Sequence, residues 1–512
     1  MKVQTDLPSV CTSLPHPLII KYFTPYPNPD KYSESHKKAL PASSVTATIP
    51  ETCRFTYRSG VFFMASKDIR NHRMSDEVYQ ENFSDIKPPL SCHQANIEAS
   101  RCLYCHDAPC ISACPTGINI PSFIHRIADH NEDGAARVIL EENILGGSCA
   151  RVCPTEVLCE QACVRNHSPE CKPVMIGRLQ RYAIDHRQKA AHPFTRAQKT
   201  GRNVAVVGAG PAGLACAHKL ARLGHDITLF DARSKPGGLN EYGIAAYKLV
   251  EDYAQEEIRF IFEIGGINLE TGSRIDLEQQ LADLTIQFDA VFLGIGLGSA
   301  KAIGLPAEQS AGIQEALDGI KRIRQTKNLA ELPVASKVVV IGGGNTAIDV
   351  ACQMRRLGAD EVTIAYRRGL QQMSATHHEQ SFAKENGVGI IPWLKPKSFE
   401  TKAGQLHGVR FVKTTQDSAG QLIETGELRV IPADRVYKAI GQTITAECFS
   451  SGKLVRSQNG KIKVDDQLRT SIGSVWAGGD CVDKGEDLTV HAVQHGKLAA
   501  EDINRFLQPL EV

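Results

Sequence analysis

Val204-Ala-Val-Val-Gly208-Ala-Gly210-Pro211-Ala212-Gly213 decides the fold of this chain. A short apolar, β-favouring run meets Gly-x-Gly-x-x-Gly, and a helical pattern of small residues follows as far as about Leu223. The first glycine permits the tight turn from strand to helix. The second lets a pyrophosphate approach the backbone, and the third lets helix and strand pack closely. Pro211 suits a first helical position, where no N–H is needed. The free N–H groups of that first turn, Ala212 among them, are a natural anion site. A second strand, Ile227-Thr-Leu-Phe-Asp231, ends in a carboxylate placed to accept hydrogen bonds from ribose hydroxyls. A glycine turn alone is a weak signal; strand, helix and acid in register specify a dinucleotide site.

The unit returns downstream. Val338-Val-Val-Ile runs into Gly342-Gly-Gly344-Asn345-Thr346-Ala347, a helix extends to Arg356, and Val362-Thr-Ile-Ala-Tyr366 forms the next strand. Alanine at the third fingerprint position is a permitted variant. Here the second strand is followed by Arg367 and Arg368 instead of an acid, and two guanidinium groups suit a ribose 2′-phosphate. Two solvated surface arginines are the plainer alternative. The first site is expected to hold FAD and the second NADPH, or NADH. The tail closes with Val475-Trp-Ala-Gly-Gly479-Asp480 and an amphipathic helix from about Thr489.

Upstream lie eight cysteines in two tight runs: Cys102-Leu-Tyr-Cys105-His-Asp-Ala-Pro-Cys110-Ile-Ser-Ala-Cys114-Pro, and Cys149-Ala-Arg-Val-Cys153-Pro-Thr-Glu-Val-Leu-Cys159-Glu-Gln-Ala-Cys163. Proline after Cys114 and after Cys153 matches ferredoxin-type runs, in which the last cysteine of a run often serves the other cluster. Two Cys₄ zinc sites compete on spacing alone. Zinc is redox-silent, however, and gives no reason for flavin and nicotinamide sites to adjoin it. Hydride donors deliver two electrons and iron–sulfur clusters accept one, so a flavin between them makes the three parts one device. Two [4Fe–4S] clusters are therefore expected. Between the runs, Pro121-Ser-Phe-Ile-His-Arg-Ile-Ala-Asp has helical apolar spacing, and a further helix is expected at Ile176-Gly-Arg-Leu-Gln180-Arg-Tyr-Ala-Ile. Cys216, Cys352 and Cys481 read as core thiols and Cys171 as a bystander, and His491 and His495 as solvated or core residues.

At 512 residues the chain has room for about three domains. A net charge of +1 offers no bulk attraction to nucleic acid or anionic membrane. No apolar stretch is long enough for a membrane span, and the cysteine usage suits a reducing, cytoplasmic setting. The expected class is α/β: an N-terminal all-α double iron–sulfur domain, then two interleaved Rossmann-like dinucleotide-binding domains. The boundaries read as a poorly structured extension over 1–85, clusters over 86–197, FAD over 198–300 and 443–512, and NAD(P) over 301–442. The proline-rich start of the chain suggests Met64 or Met74 as the native initiator.

Glu98-Ala-Ser-Arg-Cys-Leu-Tyr-Cys-His-Asp-Ala-Pro-Cys110, Asn143-Ile-Leu-Gly-Gly-Ser-Cys-Ala-Arg-Val-Cys-Pro-Thr-Glu156, Ile176-Gly-Arg-Leu-Gln180 and Ala477-Gly-Gly-Asp480 resemble the electron-input part of NAD(P)-dependent dihydropyrimidine dehydrogenases, most closely the small subunit of the bacterial two-chain form. The resemblance implies interleaved ligands: Cys102, Cys105, Cys110 and Cys163 for one cluster; Cys114, Cys153, Cys159 and the Gln180 amide for the other. Cys149 is then a non-ligand. It further implies FAD contacts at Gly238, Leu239, Lys248, Gly479, Asp480 and Thr489, and NADP contacts at Asn345, Thr346, Arg367, Arg368 and the Ala439-Ile440-Gly441 turn. Two positions depart from the family: Ser374 stands where a further basic residue is expected, and Lys248 where arginine is usual. Electrons would pass to an FMN-bearing large subunit, in a heterotetramer, that reduces uracil or thymine to the 5,6-dihydro form. The glutamate synthase small subunit is a more distant likeness, since its second run is tighter. A supply module for that or another acceptor, and a non-enzymatic scaffold with structural metals, are the other two hypotheses.

Overall fold

A computed structural model of the chain describes residues 74–188, 192–444 and 452–508. The chain divides after Lys67, and every described residue lies in the second unit, 68–512. Met64 falls outside the described residues.

The cysteine runs sit in a helical region. Its helices are Cys92–Ser100, Ile120–Ala128, Glu132–Glu142, Gly146–Val152 and Ile176–His186, and the first three of these start on short polar side chains. Ser91 and Gln94 form a reciprocal capping box, and the side chains of Asn119 and Asn131 accept from the N–H groups of Ser122 and Gly134. Each cap satisfies a donor the helix would otherwise leave orphaned. Phe123, Ile124 and Ile127 point from one helix face into a core shared with Ile139, Leu179 and Ala183. Each large side chain buried there stabilises by about 1.5–3 kcal/mol. The two helices expected on either side of the second run are both present.

The first fingerprint opens a five-stranded parallel sheet in the order Val475–Ala477, Ala290–Leu293, Asn203–Val207, Asp226–Asp231, Ile267–Thr271. Val204–Val207 and Ala290–Leu293 are buried throughout, as expected of a parallel sheet covered on both faces. The final helix, Thr489–Leu507, packs on the fingerprint helix Pro211–Arg222. A Cβ at Gly496 would stand 2.2 Å from the carbonyl oxygen of Ala212. Only glycine allows the two backbones to approach that closely.

The second fingerprint opens another parallel sheet, ordered Ile313–Glu315, Arg435–Ala439, Lys337–Gly342, Glu361–Ala365, Gly389–Ile391. The chain leaves the first sheet through Ser299–Ala300 and returns through Gln442–Thr443, and these two crossings pair antiparallel.

Two features depart from the sequence-based expectation. Residues 74–85, assigned to an unstructured extension, include the helix Asp76–Asn82. Its Tyr79 is buried in the core of the second sheet, and the Asn82 side chain donates to the Arg356 carbonyl at 2.8 Å. The antiparallel sheet Leu394–Lys402, Gln405–Gln416, Leu422–Pro432 was not anticipated. Its hairpin turns on Ala403 and Gly404, both with positive φ.

Candidate functional site

At the first glycine turn, Gly208 has φ +102° and a Cβ there would lie 2.4 Å from the Gly294 carbonyl oxygen. A Cβ at Gly213 would lie 1.8 Å from the carbonyl oxygen of Gly208. The second glycine loop crosses the first, so that a Cβ at Gly238 (φ +56°) would meet the Gly210 Cα at 2.7 Å. Asp231 ends its strand as expected, but its carboxylate is already engaged. One oxygen accepts from the Ala209 N–H at 2.7 Å and the other from the Arg233 N–H at 2.8 Å. Each oxygen keeps a second lone pair for a ribose hydroxyl.

Asp480 enters from the tail, where burial pushes its carboxyl up to about 6 and the charge of Asp487 adds to the effect. Its loop is held by His495, whose Nδ1 accepts from the Gly479 N–H at 3.1 Å. Burial lowers His495 to about 4, so the ring is neutral at physiological pH, as that acceptor role requires. Thr489 donates through Oγ1 to Asn240 at 3.1 Å. Gly208, Gly210, Pro211, Ala212, Asp231, Gly238, Leu239, Gly479, Asp480 and Thr489 all line one cavity of about 480 Å³, with Gly213 beneath it in the helix packing.

A second cavity, about 1010 Å³, is lined by Gly342, Gly344, Thr346, Arg367, Arg368 and the Ala439-Ile440-Gly441 turn. Gly342 has φ +150° and no room for a Cβ, which would stand 2.2 Å from the Ala439 carbonyl oxygen. Ala347 is fully buried in the helix packing. Arg367 and Arg368 are exposed at the rim, free to turn toward a phosphate. Ser374 Oγ lies 3.2 Å from the Cβ position of Gly344, so a small residue closes this wall. Asn345 Oδ1 accepts weakly from the Thr376 N–H at 3.4 Å and also reaches the first cavity.

The thiols sort into groups. After burial itself, the neighbours that raise the Cys110 thiol to about 12 are Cys102, Cys163 and Cys105. Cys102 is raised first by burial and then, among other groups, by Cys105 and Cys163. Cys153 is raised first by a hydrogen bond with Cys149, then by burial and by Cys149, Cys159 and Cys114. Cys159 is raised by burial, then Glu160, Cys114 and Cys110. Gln180 is buried, and its Nε2 donates to the Gly146 carbonyl at 2.7 Å, which leaves the amide oxygen as its free end.

Thiols raised this way need a metal to deprotonate them, and a bound cation does so outright. Among the described residues, however, no three His, Cys, Asp or Glu side chains converge as ligands of a single ion would. Thiolates on one zinc stand only about 3.8 Å apart, at Zn–S of about 2.3 Å. A four-iron body takes its ligands at wider spacing, and the thiols that act on one another's charge here, Cys102, Cys105, Cys110 and Cys163 in one place and Cys114, Cys153 and Cys159 in another, are of the kind such a body would take. Cys216, Cys352 and Cys481 are core thiols, as expected. Cys171, expected as a bystander, is disulfide-bonded.

Cys153 also lines the flavin-side cavity, together with Asn345 and Thr346 of the second fingerprint. The three parts therefore open onto one space. Lys248 lies there with its ammonium engaged, 2.7 Å from Asp349 and 2.7 Å from Glu379. These two carboxylates belong to the helices Asn345–Arg356 and His377–Glu385. Thr376 Oγ1, the cap of the latter helix, donates to Glu156 of the second cysteine run at 2.8 Å. Sequence reasoning missed Asp349, Glu379, Glu156 and Thr376. Asp349, Glu379 and Thr376 lie in no motif, Glu156 lies in the second cysteine run with no sign there of its partner, and only the tertiary fold brings them to the cavity.

The protein-family profile described as pyridine nucleotide-disulphide oxidoreductase matches residues 202–496. That described as dihydropyrimidine dehydrogenase domain II, 4Fe-4S cluster, matches residues 79–192. The NAD-dependent dihydropyrimidine dehydrogenase subunit PreT of Salmonella typhimurium is 35% identical over 84% of this chain and 98% of its own length. The glutamate synthase [NADPH] small chain of Escherichia coli is 34% identical over 84% of this chain and 95% of its own. Among solved structures, FprA from Mycobacterium tuberculosis (His57Gln mutant) superposes with a TM-score of 0.51 at 18% identity. It covers 60% of this chain and 84% of that one, a likeness of fold.

Proposed function

The chain belongs to the family of NAD-dependent dihydropyrimidine dehydrogenase subunits and is an NAD(P)H-dependent iron–sulfur flavoprotein oxidoreductase, and from that premise we propose that it feeds electrons to a separate FMN-bearing subunit that reduces uracil or thymine. FAD, the expected cofactor of the first fingerprint, takes up two electrons as hydride and releases them singly. The observation that carries the proposal is the common space: both fingerprints and Cys153 line one cavity.

In this proposal residues 198–300 and 443–512 bind FAD, and 301–442 bind the nicotinamide nucleotide. Gly208, Gly210 and Gly238 let the pyrophosphate reach the backbone, Asp231 receives the ribose, and Asp480 and Thr489 close the tail side. Gly342, Gly344 and the Ala439–Gly441 turn cradle the second dinucleotide, and Arg367 and Arg368 bind a 2′-phosphate when NADPH is the donor. Cys102, Cys105, Cys110 and Cys163 hold one cluster. Cys114, Cys153, Cys159 and Gln180 hold the other, the one nearer the cavity.

No helix among the described residues is long and apolar enough to cross a membrane. The proposal places the chain in a cytoplasmic heterotetramer that uses neither membrane nor nucleic acid. The proposal assigns the (β/α)₈ domain of the pyrimidine step, roughly 250 residues, to the partner subunit. The chain alone is therefore expected not to reduce uracil.

The test is anaerobic isolation of the native protein and identification of what co-purifies. An FMN-binding chain that restores NAD(P)H-dependent uracil reduction supports the proposal. The 34% relative favours a second reading, in which a large glutamine-hydrolysing chain co-purifies and NADPH oxidation depends on glutamine and 2-oxoglutarate.

A further inference from the structure

The Gly146-Gly147-Ser148 turn begins the short helix that ends at Cys153, and a carboxylate from the flavin-side half of the molecule is built into it. Glu257, on the helix Tyr253–Phe262, accepts from the Gly147 N–H at 2.9 Å and from the Ser148 N–H at 3.0 Å through the same oxygen. Its other oxygen accepts a short bond from the Ser148 hydroxyl. These partners are 109 or 110 residues apart in the chain. Glu257 is buried, at 6% exposure. A buried carboxylate is expensive to maintain unless its lone pairs are met. Here three donors meet it, and all three belong to one turn.

The surroundings lock the same turn. A Cβ at Gly147 would lie 1.7 Å from the Tyr253 hydroxyl, so the tyrosine has room only because the residue is glycine. The Arg151 guanidinium stacks 3.6 Å from the centroid of the Tyr253 ring, pairs with Asp185 at 2.9 Å and donates to the Gly147 carbonyl at 3.1 Å. Gly146, one residue before the contact, supplies the carbonyl that orients Gln180. Cys153, at the end of the helix, lines the flavin-side cavity.

We infer that Glu257 is a positioning residue that fixes the Gly146–Val152 helix, and through it both Cys153 and the Gln180 amide, at a set distance from the flavin cavity. The inference rests on the cofactor assignment made above. Electron transfer between fixed centres falls steeply with their separation, so loosening this clamp slows the step from flavin to cluster. It leaves the step from nucleotide to flavin alone, because Glu257 touches neither dinucleotide cavity.

The experiment is anaerobic stopped-flow of the full chain with NAD(P)H, following flavin and cluster absorbance separately, with iron, FAD and the EPR spectrum of the reduced protein measured on the same sample. Glu257→Ala is expected to keep iron and FAD and to reduce its flavin at the wild-type rate. Its cluster reduction should slow by roughly tenfold or more, given what small misplacements cost, with an altered EPR lineshape. Glu257→Gln keeps an acceptor for the two N–H groups and should recover most of the rate.

If Glu257→Ala sheds its iron, Ser148→Ala, which removes one of the three bonds, decides. A slowed cluster step in it supports the inference, and an unchanged one overturns it. Cluster reduction at the wild-type rate in an iron- and flavin-replete Glu257→Ala chain overturns it as well. A wild-type chain that binds neither flavin nor iron would fail the cofactor assignment instead, ahead of any comparison among variants.

Discussion

Cys149 and Cys153 are one helical turn apart and hydrogen-bonded, yet they are expected to differ completely in consequence. Cys149→Ser should leave iron near the wild-type content, and Cys153→Ser should lose a cluster; iron analysis of anaerobically purified protein reads both. Equal loss would sink the interleaved assignment. Gly208 is similarly intolerant of change. Gly208→Ala forces a side chain into a left-handed φ and against the Gly294 carbonyl and should abolish FAD retention, read from the flavin absorbance of the purified chain.

Asp480 makes a prediction about pH. Its carboxyl stands near 6 in the fold, above the usual 3.8, chiefly because it is buried. Between those values the folded chain holds a proton that the unfolded chain has released, so stability falls as pH rises through that window. Above about 6 the apo chain carries a cost on the order of 1–2 kcal/mol, discounted for water that reaches the cavity. Asp480→Asn should therefore raise the melting temperature of the apo chain at pH 7.5 and leave it nearly unchanged at pH 4. An equal shift at both values would rule the ionisation out.

At the scale of elements, Thr376→Val removes both the cap of the helix His377–Glu385 and the bond to Glu156. A lost cap costs about 1 kcal/mol, readable as a lower urea midpoint. The fingerprint elements are legible in the amino-acid order because their backbone demands are written as glycines: Gly208 and Gly342 can be nothing else at their φ values. The antiparallel sheet is not legible in that way. Its outer strand Leu422–Pro432 is exposed along nearly its whole length, so burial imposes no alternation on its sequence. Helix Asp76–Asn82 is hidden for a related reason: it adds little apolar surface beyond Tyr79 and depends on distant partners such as Arg356. Of the candidate site, the thiol runs and glycine turns can be read, whereas Glu156, Asp349, Glu379 and Glu257 cannot. Each acts through a partner about a hundred or more residues away.

At the scale of the molecule, Lys248, in the turn between the helices Leu239–Tyr242 and Tyr253–Phe262, pairs with two helices of the nucleotide half. Lys248→Met leaves the buried Asp349 and the half-buried Glu379 without their shared cation, and breaking such a buried pair costs about 3–5 kcal/mol. Asp349, which burial already raises, would respond by holding a proton. The loss should accordingly be larger at pH 8 than at pH 5 in denaturation measured at both. A pH-independent loss would mean that packing, not charge, dominates there.

The edge strand Val475–Ala477 of the first sheet pairs with Ala290–Leu293, about 180 residues earlier in the chain. Asp480 and Thr489, which complete the flavin-side cavity, follow that strand. A ribosome working at ~5–20 residues per second needs about 10–40 seconds to cross that interval. During that time the first fingerprint is already outside the exit tunnel with no floor to its pocket. Flavin capture thus waits for the last strand and helix, and a chain stopped short of that helix should emerge colourless in the flavin band however well its front half has folded.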